Sequence, residues 1–113
     1  MDDKKLKQIF EKAQKDTIES KKISKALIDA LMGSESAKKA EIHVLNVGIA
    51  DFASDIILRL ADTLMTDGVT NNPVVAINAA ICEFNENIHQ LTKQKFAMKM
   101  AKDQQEANNS TSH

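Results

Sequence analysis

Apolar residues recur along most of this chain at steps of three and four, the spacing that places them on one face of an α-helix. The pattern is cleanest between residues 74 and 98. There Val74, Ile77, Ile81, Phe84, Ile88 and Leu91 alternate the two steps, and Lys95 and Met98 continue the line. This stripe predicts a seam for a partner helix, wetter at its far end. Between residues 44 and 65 apolar side chains occupy most of the circumference, from Val44, Leu45 and Val47 to Leu60, Leu64 and Met65. One line there is strongly polar: Asp51, Asp55, Arg59 and Asp62, at steps of four, four and three. The first thirty residues are less regular. Leu6, Ile9, Phe10 and Ala13 form one patch, and Leu27, Ile28 and Leu31 form another. The stretch 15–22 between them has little to bury, so it is either solvated or lines something polar.

Two turn signals divide the pattern. Gly33 comes after Ala30, Leu31 and Met32 and suits a left-handed residue just past a helix end, with Ser34 or Ser36 able to cap the next helix. Gly68 can stop a second helix, Asn72 can cap a third, and Pro73 suits a first helical position. The expected elements are helices near 3–32, 36–66 and 73–104, each about 45 Å long. Residues 108–113 are small and polar and are expected to be a disordered tail. The predicted fold is all-α: three long antiparallel helices forming a helical bundle, one domain over 1–107. A helix as apolar as 44–65 needs more neighbours than two flanking helices supply. Self-association is therefore expected, most simply as a homodimer with a four-helix core.

Composition narrows the picture. The 113 residues include no Trp, no Tyr, three Gly and one Pro, which excludes a sandwich or barrel with many turns. A single Cys excludes an internal disulfide and any cysteine-based zinc site. The opening residues are charged, with no apolar core of a secretory signal, and four ionisable groups interrupt 44–65. The expected setting is cytoplasmic, with no membrane span. The net charge of −1 hides a segregation. Residues 1–40 hold ten Lys against seven acids, residues 41–92 hold Arg59 against seven acids, and residues 93–113 hold four Lys against two. The middle is acidic and the flanks basic. The lysines of the first helix are interleaved with acids and have no aromatic residue beyond Phe10 to stack a base, so nucleic acid is not an expected partner.

Several groups invite chemical reading. Arg59, the single Arg, can reach Asp55 four residues back and Asp62 three ahead, and its planar fork suits a carboxylate or phosphate. A structural ion-pair stripe is the plainer account of the same four residues. Glu86 and His89 have the Glu-x-x-His spacing of di-iron bundle sites, but such sites need two of these units and further Glu. Cys82 has no nearby cation and is expected to be a small packing residue. His43 and His113 have no evident partners.

One segment resembles a known family. The run from Ala50 through Asp51, Phe52, Asp55 and Arg59 to Asp62, with Asp67, Gly68 and Val69 after it, is similar to a helix of the all-α, MazG-like nucleoside triphosphate pyrophosphohydrolases. Phe84 and Asn85 are similar to an aromatic-Asn pair on that family's last helix. The resemblance covers about a third of the chain. It implies a helical bundle that binds Mg²⁺, with Asp55 as a ligand, Asp51 and Arg59 at the active site, and Asp16 and Glu19 as further metal ligands. Phe52 stands where the family has its second acid, and Ala80 or Ile81 where it has a basic residue.

These features support two functional expectations. The first is a small non-enzymatic helical bundle that oligomerises and binds a protein partner, without a cofactor, in the manner of accessory proteins of phages and mobile elements. The second is a divergent Mg²⁺-dependent nucleotide pyrophosphohydrolase using Asp16, Glu19, Asp51, Asp55 and Arg59.

Overall fold

A computed structural model describes residues 2–111, with side chains for 2–109. Every regular element is a helix: α1 Asp3–Met32, α2 Glu35–Lys39, α3 Ile42–Thr66 and α4 Pro73–Thr111. No strand occurs among the described residues, so the chain is all-α. None of these helices is long and apolar enough to cross a membrane. The chain divides after Gly48 into two compact units.

The first unit holds α1, α2 and the opening turns of α3. Asp2 caps α1, its side chain accepting from the Lys4 amide at 3.2 Å. Gly33 ends the helix with its amide on the Asp29 carbonyl, but its backbone is right-handed, at φ −82° and ψ −7°. The left-handed conformation expected at Gly33 is therefore not adopted. The right-handed turn lets the Ser34 amide close onto the Leu31 carbonyl at 3.0 Å. Ser34 then caps α2, accepting from the Ala37 amide at 3.2 Å.

The expected helix 36–66 is two elements. Ala40 is extended, at φ −69° and ψ 141°, and separates α2 from α3. Leu45 folds back, half-buried, toward a corner lined by Ile28, Leu31, Met32, Ala37 and Lys38, where a cavity of about 220 Å³ remains.

The second unit is a hairpin of α3, from Ile49 onward, and α4. Its turn is built from backbone hydrogen bonds. The Val69 amide donates to the Leu64 carbonyl at 3.0 Å and the Gly68 amide to the Met65 carbonyl at 3.1 Å. These two bonds form a Schellman motif, which needs a left-handed residue at Gly68, where φ is 78°. Asn72 then starts α4, its side chain accepting from the amides of Val74 at 3.0 Å and Val75 at 3.4 Å. The expectations for Gly68, Asn72 and Pro73 all hold. Alanines form the seam. Ala61 of α3 and Ala76 and Ala80 of α4 are buried, and Ile57, Leu60, Leu64, Met65 and Ile77 pack around them.

Helix α4 runs past its expected end near 104 to Thr111, because no Gly or Pro comes after Pro73 to stop it. Residues 108–111, expected in a disordered tail, lie in that helix, and residues 112–113 fall outside the described residues.

Candidate functional site

The polar line of α3 is present as a helix face. Asp51, Asp55, Arg59 and Asp62 are all exposed along it. Local hydrogen bonds there run to the backbone. The Ser54 hydroxyl donates to the Asp51 carbonyl at 2.6 Å, and the Thr63 hydroxyl donates to the Arg59 carbonyl at 3.1 Å. Among the described residues no ion pair joins Arg59 to Asp55 or Asp62. The three carboxylates and the guanidinium are separately solvated. Phe52, in the place of the family's second acid, is half exposed on the same helix.

Asp16 and Glu19 lie on α1, in the first unit, whereas Asp51, Asp55 and Arg59 belong to the second. Each of the two is engaged by a neighbouring lysine. Lys12 donates to Asp16 at 2.8 Å, and Lys22 meets Glu19 at 3.3 Å. The hydrogen bond to Asp16, and then its negative charge, hold the Lys12 ammonium above the usual lysine range. Lys25 and Asp29 form a third such pair at 3.6 Å. The polar middle of α1 is thus a solvated face laced by its own ion pairs, worth little each at such exposure. Among the described residues, no three His, Cys, Asp or Glu side chains gather closely enough to hold a metal ion.

The remaining candidates are also placed. Glu86 accepts from the Gln90 side chain at 2.9 Å rather than engaging His89. His43 lies 3.4 Å from Glu41, a partner two residues away that helical spacing does not suggest. Cys82 is exposed, so the packing role expected for it is corrected. It falls on a flank of α4 away from the seam defined by Ala76 and Ala80.

What the structure does concentrate is apolar surface. No large side chain is fully buried among the described residues. On α3, Ile49, Phe52 and Ile56 recur at steps of three and four and remain exposed, as do Ile81, Ile88 and Leu91 on α4. On α1 the exposed residues include Leu6, Phe10, Leu27 and Leu31. These exposed apolar side chains are spread over three helices, and no cluster of polar side chains gathers beside them among the described residues. No family model, no curated protein and no solved structure matches this chain.

Proposed function

We propose that this chain is a non-enzymatic helical-bundle protein that acts by self-association and by binding a protein partner, in an accessory or regulatory role. Its long helices assemble as an antiparallel bundle that a second copy completes, a two-fold dimer being the simplest closed arrangement. One observation carries this reading: among the described residues only Ala61, Ala76 and Ala80 are buried outright, while larger apolar residues on the same two helices stay exposed. Burial stabilises in proportion to apolar area, at about 25 cal/mol per Å². The three alanines and the half-buried Ile57, Leu60, Leu64, Met65 and Ile77 supply part of it, and covering the exposed Phe52, Ile56, Ile81 and Ile88 would supply more.

Sedimentation equilibrium over a range of concentrations tests the reading. The expected result is a species of twice the 12.5 kDa chain mass. A monomer at every concentration overturns it. A parallel incubation with nucleoside triphosphates and Mg²⁺ checks the competing chemistry. Pyrophosphate release that Asp55→Ala abolishes would assign the chain to the pyrophosphohydrolase reading instead, with Asp16, Glu19 and Asp55 on the metal and Asp51 and Arg59 beside it.

A further inference from the structure

Among the described residues, α3 is the one regular element that both compact units share. It runs unbroken from Ile42 to Thr66, and the division between the units falls after Gly48, inside it. Packing holds the helix on either side of that point. Leu45 is half-buried in the first unit, and in the second Ala53 and Ile57 are half-buried and Ala61 is buried. Between Leu45 and Ala53 every residue is exposed, from Asn46 to Phe52, nearly two turns of helix. A helix inside a protein draws most of its stability from the face it buries, and this stretch buries none.

The sequence is weakest at the same place. Asn46, Val47 and Gly48 are consecutive, and all three rank below the straight-chain residues in helix propensity, with Gly lowest of all but Pro. Asn competes for the backbone through its own side chain, and Gly gains the most freedom when a turn opens. Packing does not account for this glycine, since a Cβ added at Gly48 meets nothing within 4 Å. At Gly33 an added Cβ meets the Asp29 carbonyl at 3.4 Å, and at Gly68 the backbone is left-handed, at φ 78°. Gly48 has neither reason to be a glycine.

We infer that α3 opens and reforms at residues 46–48, making this turn a hinge through which the two units change orientation. Opening there breaks the bonds from the amides of residues 49–52 to the carbonyls of residues 45–48 and leaves the packed parts of both units intact. Residues 46–52 are exposed, so water replaces the bonds that open. Hinges of this kind absorb a backbone change at a few positions. A partner in contact with both units selects one orientation from those the hinge allows. The hinge lies within one chain and does not depend on self-association.

Two measurements on the full chain test it. Amide hydrogen exchange, read residue by residue, compares the amides of residues 49–52 with those of residues 61–64, in the packed part of the same helix. The first group is expected to be at least about tenfold less protected, and Asn46→Ala/Gly48→Ala is expected to slow its exchange by about tenfold. Spin labels on Cys82 and on Lys15→Cys, exposed positions in different units, read the spread of distances between the units. Labelled protein is diluted into unlabelled protein, so that only distances within one chain are seen. The spread is expected to be wide, and to narrow when Asn46→Ala/Gly48→Ala is added. Equal protection of the two groups of amides overturns the inference, as does a narrow spread without the double substitution. A wide spread that the double substitution leaves unchanged also overturns it, because the movement then lies elsewhere, the extended Ala40 between α2 and α3 being the next candidate.

Discussion

The alanine seam of the hairpin makes a sharp prediction about Ala80. Its side chain is wholly inaccessible, at 0% exposure, in the cluster with Ala61 and Ala76. Ala80→Leu adds three carbon atoms at a point where the helices leave no space. They must separate, or a neighbour such as Ile57 or Ile77 must leave its preferred rotamer. Overpacking of this kind costs about 1–3 kcal/mol. Ala79 is one residue away and exposed, so Ala79→Leu makes the same chemical change without entering the seam. Leu and Ala have similar intrinsic helix propensities, and the control should move stability little. For a unit of this size each kcal/mol shifts the melting midpoint by about 4–8 °C. The expected result is a midpoint for Ala80→Leu at least about 4 °C below that of Ala79→Leu. Thermal unfolding followed by far-UV circular dichroism, at one fixed protein concentration because association shifts the midpoint, measures it. If Ala80→Leu melts together with Ala79→Leu or above it, the seam does not run through Ala80.

Local geometry gives two further expected outcomes. At Gly68, with φ at 78° and open space around an added Cβ, Gly68→Ala carries backbone strain without a clash and should cost about 1–2 kcal/mol in a chemical unfolding titration. Gly48→Ala, mid-helix and equally open, should raise stability by about 0.5–1 kcal/mol; equal effects at the two positions would remove the left-handed turn as the cause. The Lys12–Asp16 pair has a pH signature: because the folded Lys12 pKa is raised, its contribution is complete below the ordinary value of 10.5 and is lost as pH climbs through the raised one. The small helicity difference between wild type and Lys12→Gln should therefore persist at neutral pH and close in strong alkali. A difference that stays constant across that range would show that the pair contributes nothing.

Some of this architecture is legible because dedicated residue types mark it. Gly68, Asn72 and Pro73 each perform a task that few other residues can, and the turn sits where they place it. The break at Ala40 carries no such mark, since neither Ala40 nor Glu41 is a helix breaker; the backbone is extended there, and Ala37 and Leu45 on either side of it line one corner with Leu31 of α1. On α4 the size of the side chains misleads by one position. Val74 and Ile81 draw attention by their bulk but stay exposed, and the buried line passes through Ala76 and Ala80 with Ile77 half-buried beside it. Small residues are weakly hydrophobic, yet they are what lets two helices approach. The acidic line on α3 is readable as a face, and its exposed state is not, because spacing shows which side chains can meet and not whether they do.

The turn at Gly68 has a consequence for the order of events in assembly. Its hydrogen bonds close over a handful of residues, and a six-residue connection joins the two helices, so the hairpin brings together segments that are near in sequence. Contacts of that kind form early, because little chain entropy is lost before they are made. The hairpin is then the part of its unit expected to form first, ahead of any contact between segments far apart in sequence.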